Sequence, residues 1–242
     1  MIDHKYIYLL LGVALLVVWV AFYVLRPDMH LKLWRTSVVG AVAGPLAEFW
    51  YFDDYWRPPM LLDLHFFSLE DALVGFCIAG IAALVYDVVF CTQLTGGVPR
   101  YRNTFAWFFV VGMIGLTITS RTFEVNSMLA SSVAFFGFAA IMIALRPELL
   151  SVSLLSGFLT VAVLLPIYFV LFDVAAPDYW PSHNKLSGTL VDLTLPGSSI
   201  PVLEPAWYFT WGMLAGIAYE FAGGRRKVPR PQPDAAANTS GG

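Results

Sequence analysis

Two apolar stretches of the sequence begin and end with acidic residues and repeat one spacing. The residues four apart in each stretch are acidic at the ends and mostly small between them. They are Asp71, Gly75, Ala79, Ala83 and Asp87 in the first stretch, and Glu204, Tyr208, Gly212, Gly216 and Glu220 in the second. Such spacing places side chains along one helix face, over about 24 Å at ~1.5 Å per residue. Because a bilayer core is about 30 Å thick, the pattern predicts two membrane-spanning helices with carboxyl groups at both ends.

The acids at the first end of each stretch, Glu70, Asp71 and Glu204, could transfer protons. A carboxyl group in a water-poor, aromatic site holds a proton that it can give to a weak base such as an alkene. Ring faces stabilise the carbocation that results. Aromatic residues that could contact a substrate there are Trp56, Phe67, Trp180, Trp207, Tyr208 and Trp211. Plainer roles are also open, because acids favour the positive ends of helix dipoles and aromatic residues line membrane surfaces.

Three further acids need an explanation. Glu48 falls inside a predicted span, where an ionisable side chain is costly and usually faces the bundle interior. It could contribute to a substrate site. It could also reach the membrane interface, because the predicted span ends at Phe52, only four residues later. Asp87 and Glu220 either mark the membrane boundary or have a role of their own.

The composition indicates an integral membrane protein. Of 242 residues, 58% are apolar and 13% are charged, with a mean hydropathy of +0.70, whereas soluble domains are about 25% charged. The net charge of -3 and the lack of a basic patch give no reason to expect a nucleic-acid partner. Cys77 and Cys91 lie too far apart on one predicted helix to bridge or to share a metal. No metal-binding or dinucleotide motif is present, so we expect neither a metal nor a cofactor.

Hydropathy predicts an all-α membrane fold with seven spans. They cover residues 6–25, 34–52, 71–92, 104–119, 126–145, 151–172 and 205–222. Four basic residues, Lys5, Arg57, Arg121 and Lys185, fall on the amino-terminal side of these spans. Ten fall on the other side: Arg26, Lys32, Arg35, Arg100, Arg102, Arg146, Arg225, Arg226, Lys227 and Arg230. The positive-inside rule then places the amino terminus outside the cell and the carboxyl terminus in the cytoplasm.

The sequence also predicts a parallel tandem repeat. Arg26-Pro27-Asp28 ends the first span as Arg146-Pro147-Glu148 ends the fifth, and Pro45 and Pro166 lie inside the second and sixth. Spans one to three therefore correspond to spans five to seven, joined by span four. The predicted units are 1–92, a linker at 93–122, 123–223, and a disordered cytoplasmic tail at 224–242. The extra residues 182–201 of the second unit form either a lid or a slack loop.

This arrangement resembles the lycopene cyclase domain family, the FAD-independent membrane carotenoid cyclases. Ser68-Leu69-Glu70-Asp71 resembles the family's Pro-x-Glu-Glu motif in the first unit, and Pro201 to Trp207 resembles it in the second. Trp211-Gly212 to Tyr219-Glu220 continues the match. The sequence departs from the motif at three positions. In the first unit, Ser68 stands in place of the proline and Asp71 in place of the second glutamate. In the second unit, Pro205 stands in place of the second acid.

The resemblance implies a redox-neutral isomerisation without a cofactor. An acid protonates the terminal double bond of a lipophilic isoprenoid in the bilayer, the cation closes a ring, and a base removes a proton. Glu70 or Asp71 would be one partner and Glu204 the other. The implied location is a bacterial or archaeal cell membrane.

Other functions also fit the pattern. A membrane terpene cyclase acting on a prenylated substrate would have the same paired acids. A transporter or a non-catalytic lipid-handling protein could have a parallel repeat, although the span centres carry almost no charge. A retinal protein is excluded, because the last span has no lysine to form a Schiff base.

Overall fold

The structure, a computed structural model, describes residues 2–61 and 68–230 of the chain. Most of these residues are helical. The first part forms α1 (His4–Leu25), α2 (His30–Asp54), α3 (Leu69–Val89) and strand β1 (Thr92–Thr95), followed by α4 (Arg102–Thr122). The second part forms α5 (Ser127–Leu145), α6 (Leu150–Tyr168), a π-helical segment (Phe169–Ala175), α7 (Tyr179–His183), α8 (Leu203–Gly223) and strand β2 (Arg226–Pro229).

Each of the seven predicted spans overlaps a long helix, although the span 71–92 runs past the end of α3 and the span 151–172 continues into the π-helical segment. Within the described ranges, five segments are long and apolar enough to cross a membrane: His4–Leu25, Leu69–Val89, Arg102–Thr122, Ser127–Leu145 and Pro147–Ala175. The helices α2 and α8 are as long but are not among these five. These five segments are compatible with an integral membrane protein.

The helices α3 and α8 lie at the centre of the bundle, and each collects a similar set of neighbours. The helices α1 and α2 pack against α3, as α5 and α6 pack against α8, and α3 and α8 contact each other. The helix α4 lies outside and contacts α5 and α8.

Glycines allow the closest of these contacts. A Cβ atom added to Gly40 would lie 2.2 Å from the Gly75 carbonyl oxygen, so the backbones of α2 and α3 touch. In the other half, a Cβ added to Gly212 would lie 2.6 Å from the Thr160 hydroxyl oxygen. The small residues between the acids therefore serve close helix packing.

Two matching turns connect the first two helices of each half. Pro27–Met29 and Pro147–Leu149 are both single 3₁₀ turns. Arg26 and Arg146, just before these turns, each donate to the carboxylate two residues later. Arg146 also donates to the carbonyl oxygen of Glu220 at 2.7 Å, and Arg26 donates in the same way to that of Asp87.

The start of the predicted tail is ordered. Arg226–Pro229 pairs antiparallel with Thr92–Thr95, with Thr92 opposite Pro229 and Thr95 opposite Arg226. The prediction of a disordered segment from residue 224 missed this pairing, because strand partners so far apart in sequence leave no local pattern. Residues 231–242 lie outside the described residues.

The extra segment of the second half is anchored at both ends, while most of residues 187–194 between them are exposed. Leu186 and Ile200 are buried, and Asn184 forms a β-bridge with Trp56. The Ser199 amide donates to Asp173 at 2.8 Å. These contacts hold the segment over the end of the bundle that contains Glu204.

Candidate active site

Four buried acids gather at one end of the bundle. Glu48 of α2, Glu70 and Asp71 of α3, and Glu204 of α8 are each at most 6% exposed. Each has one carboxylate oxygen without a hydrogen-bond partner among the described residues. We call this the acid end, and we call the opposite end, which holds Asp87 and Glu220, the arginine end.

Asp71 caps its own helix, as the plainer interpretation of the sequence expects. The Ser68 amide donates to Asp71 Oδ2 at 2.9 Å, and the Asp71 amide donates to Ser68 Oγ at 3.0 Å. This capping box uses only one carboxylate oxygen, and Oδ1 remains buried and unpartnered. Glu70 accepts from the Leu61 amide at 3.0 Å. Capping therefore accounts for one oxygen of Asp71, and a contact with the preceding loop accounts for one oxygen of Glu70. The second oxygen of each has no partner within residues 2–61 and 68–230.

Glu204 is held by a tyrosine from the other half of the chain. The Tyr55 hydroxyl donates to Glu204 Oε1 at 2.5 Å. Burial and then the Glu204 carboxylate raise the pKa of Tyr55 well above its ordinary value, so Tyr55 keeps its proton and acts as a donor. Nearby, the Tyr208 hydroxyl donates to that of Tyr168.

The acids from three helices share one electrostatic environment. Glu48 lies within charge–charge range of both Asp71 and Glu204, and the Tyr8 hydroxyl is close to Asp71. Within residues 2–61 and 68–230, no lysine, arginine or histidine forms an ion pair with any of the four acids. A buried carboxylate without a counter-charge is costly, and none of the described cations offsets that cost here.

The arginine end has the opposite electrostatics. Lys32 Nζ lies 2.7 Å from Asp87 Oδ2 and 2.6 Å from Glu220 Oε1, and Lys227 Nζ lies 3.0 Å from Asp87 Oδ2. All four side chains are at most 3% exposed. Asp87 and Glu220 are therefore not simple boundary markers: they form a buried, compensated ion cluster.

The predicted substrate-contacting aromatic residues fall into two groups. Trp56 and Trp180 are buried and stack with ring centroids 4.6 Å apart, and Tyr55 lies beside Trp180. Trp207 and Trp211 are half-buried, and the Trp207 indole donates to the Tyr51 hydroxyl at 2.9 Å.

The Tyr208 ring contacts Trp207 of the second group, and it also contacts Tyr168. The buried rings Trp56, Trp180 and Tyr208 belong to the protein interior and not to a membrane-surface belt. Phe67, His65 and Phe66 lie outside the described residues.

Sequence reasoning missed the tyrosines that surround the acids. Tyr8, Tyr51, Tyr55 and Tyr168 are all buried. Their signal was available, since a hydroxyl inside an apolar span needs a partner. Tyr168 also occupies the position of the second half that matches Glu48 in the first, 120 residues earlier.

The matching contacts correct one detail of the sequence alignment. Arg26 donates to the carbonyl oxygen of Asp87 as Arg146 donates to that of Glu220. Asp87 of α3 and Glu220 of α8 therefore occupy matching positions, and they lie 133 residues apart in the sequence. Asp71 then matches Glu204, and the counterpart of Glu70 is Leu203 rather than Pro205. The second half therefore lost its additional carboxyl group at Leu203.

Two histidines meet at the surface of the acid end. His4 Nδ1 and His183 Nε2 are 3.0 Å apart, and His4 Nε2 lies 3.4 Å from Asp178. Burial, and then the neighbouring His4, lower the pKa of His183. Both rings contact Tyr179, which separates them from the acids.

Two cavities lie away from the acids. One, of about 280 Å³, opens at the arginine end beside Lys32. The other, of about 450 Å³, is an apolar groove along α6. Neither is lined by the four acids, whose side chains point into a packed interior. Among the described residues, no group of three His, Cys, Asp or Glu side chains could hold a metal ion.

The chain is mostly helical, with apolar helices compatible with an integral membrane protein, and it buries a cluster of carboxyl groups that have no ion-pair partner among residues 2–61 and 68–230. No family model, no curated protein and no solved structure matches this chain.

Proposed function

We propose that this protein is a membrane-bound isoprenoid cyclase of the lycopene type. One observation carries the proposal: Asp71 and Glu204, at matching positions of the two halves, are both buried, and each has a free carboxylate oxygen among the described residues. No described cation neutralises them, and tyrosine and tryptophan rings surround them. Such a site suits proton transfer to and from a hydrocarbon.

The reaction is balanced without a cofactor. One carboxyl group gives its proton to the terminal carbon–carbon double bond, which leaves a tertiary carbocation. A second double bond of the same chain attacks that carbon and closes the ring. A carboxylate then removes a proton next to the new cation and restores a double bond, so the product is an isomer of the substrate. Glu204 is one partner of this exchange, and Asp71 or Glu70 is the other.

The tyrosines prepare the acids for this exchange. Tyr55 donates to Glu204 Oε1 and leaves Oε2 as the oxygen that can face a substrate. The stacked Trp56 and Trp180 present ring faces that stabilise a cation. Protonation needs only the end of an isoprenoid chain beside the acids, and this requirement also suits a prenylated substrate shorter than a carotenoid.

The membrane arrangement belongs to the same proposal. We propose that α2 and α8 cross the bilayer together with the five more apolar segments, with the amino terminus outside. Their lower apolar content fits helices that carry site residues on an inward face, such as Glu48 and Glu204. The equal packing of α1 and α2 on α3, and of α5 and α6 on α8, supports a parallel repeat.

Expression in a lycopene-accumulating host tests the proposal. We expect cyclic carotenoids with the wild-type protein and unchanged lycopene with Glu204→Gln, with equal amounts of both proteins in the membrane. If wild-type lycopene is unchanged, the assay is repeated with prenylated aromatic substrates. Failure of the wild-type protein with both substrate classes would reject the cyclase.

A further inference from the structure

The cavity at the arginine end has the composition of a ligand site. It has a volume of about 280 Å³, close to the lower end of small-molecule sites. Its lining residues are Asp28, Met29, Leu31, Lys32, Gln93, Leu94, Tyr219 and Arg225. It lies between the start of α2, strand β1 and the end of α8, about one helix length from the carboxyl cluster.

Three hydrogen-bonding side chains of this cavity have no partner. The Arg225 guanidinium, the Gln93 amide and the Tyr219 hydroxyl form no side-chain hydrogen bond or ion pair within residues 2–61 and 68–230. The guanidinium lies over the Tyr219 ring, with Cζ 5.3 Å from its centroid. This stacking orients Arg225 and leaves its donors available.

The acids around the cavity are already neutralised. Asp28 accepts from Arg26 Nη2 at 2.8 Å, and Arg230 lies 3.9 Å away. The Lys32 ammonium beside the cavity is shared by Asp87 and Glu220. In the described part of the chain, five basic side chains thus face three carboxylates: Arg26, Lys32, Arg225, Lys227 and Arg230 against Asp28, Asp87 and Glu220. The excess positive charge favours an anion.

The apolar residues of the cavity indicate that this anion carries a hydrocarbon chain. Leu31 is 55% exposed on the surface of α2 next to the cavity. A lipid lying along α2 would therefore place its chains on Leu31 and its head group beside Arg225. Guanidinium groups bind phosphate oxygens through paired hydrogen bonds.

We infer that the cavity between α2, β1 and α8 binds the phosphate of an anionic phospholipid, with Arg225 as its main contact and Gln93 and Tyr219 as further donors. This role is separate from the proposed cyclisation, and its test does not need that activity.

Lipid binding to the delipidated, full-length protein in detergent tests the inference. Phosphatidylglycerol is titrated and bound lipid is counted by native mass spectrometry, for the wild type, Arg225→Gln, Gln93→Ala and Arg226→Gln. Arg226 is the matched control, because it is the next residue of β2 and is exposed outside the cavity. We expect roughly tenfold weaker binding for Arg225→Gln, a smaller loss for Gln93→Ala, and less than about a twofold change for Arg226→Gln.

Two further probes identify the ligand chemistry. Diacylglycerol, which has the chains without the phosphate, should not bind at this cavity, and inorganic phosphate should compete only at far higher concentration than the lipid. Equal losses for Arg225→Gln and Arg226→Gln would show diffuse surface charge and overturn the inference. It would also be overturned by unchanged binding in both Arg225→Gln and Gln93→Ala, or by inorganic phosphate that binds as tightly as the lipid.

Discussion

Lys32 Nζ lies 2.6 Å from Glu220 Oε1, and neither side chain is more than 1% exposed. The same ammonium is 2.7 Å from Asp87. One residue of the first half thereby holds the ends of both central helices, α3 and α8. At the acid end of the same two helices, the carboxyl groups have no such partner within residues 2–61 and 68–230, so we assign the two ends different tasks. The arginine end stabilises the bundle, and the acid end carries the proposed chemistry.

Removal of this lysine should strongly destabilise the protein. We expect Lys32→Met to lower the free energy of unfolding by about 3–5 kcal/mol, because two buried carboxylates would keep Lys227 as their one ion-pair partner among the described residues. Unfolding in mixed micelles measures the change. Arg35→Met is the matched control, since Arg35 lies on the same helix and is exposed. Equal stability of the two variants would show that the ion cluster contributes nothing.

The acids of the proposed site should be needed for activity and not for folding. We expect Asp71→Asn and Glu204→Gln each to reduce cyclisation by at least about 100-fold. Both replacements keep the hydrogen-bond acceptors that Ser68 and Tyr55 use. Product analysis in isolated membranes gives the rates.

Glu124→Gln is the control for these two variants, because Glu124 is an exposed acid near the acid end. Retention of activity in both site variants, with the control also active, would remove Asp71 and Glu204 from the mechanism.

Close backbone contact between α2 and α3 should make Gly40 sensitive to a single methyl group. We expect Gly40→Ala to destabilise the protein by about 1–3 kcal/mol, because the new Cβ would collide with the Gly75 carbonyl and the Ala79 side chain. Gly137→Ala in α5 has open space around its Cβ and should be neutral or slightly stabilising. Thermal unfolding in detergent compares the two. A larger loss at Gly137 would contradict the packing described for these helices.

The histidine pair should give the protein a small acid sensitivity. The folded state lowers the pKa of His183 below its ordinary value of 6.5, so the unfolded chain binds a proton more readily. The stability that neutral His183 contributes is present above about pH 6.5 and is lost as the pH falls below it. His183 is partly exposed, and the titratable groups beside it in the described part of the chain are His4, Asp178 and Tyr179.

The loss in Tm should therefore be about 1–2 °C between roughly pH 7.5 and 5.5. His183→Gln should remove this part of the pH dependence in thermal unfolding scans. An equal dependence of Tm on pH in the wild type and in His183→Gln would contradict this role of His183.

The sequence predicted the positions of the long helices because most of them are apolar runs that end near Pro, acidic or basic residues. The first and fifth predicted spans end at Leu25 and Leu145, as do α1 and α5. The matching Arg-Pro-acid turns were also visible, because they are local in sequence.

Contacts between distant residues could not be predicted in the same way. The bond from Tyr55 to Glu204 joins residues 149 apart, and the one from Lys32 to Glu220 joins residues 188 apart. Nothing in the neighbourhood of either residue specifies its partner. For that reason the sequence identified the acids but could not show that Asp87 and Glu220 have a lysine partner. It also could not show that Asp71 and Glu204 have no cationic partner among the described residues.

The position of Lys32 also determines the order in which the ion cluster can be assembled. Lys32 and Asp87 both belong to the first half, and Glu220 follows more than a hundred residues later. Because synthesis proceeds from the amino terminus, both members of the Lys32–Asp87 pair are already part of the chain when the last helix brings the second carboxylate to the cluster.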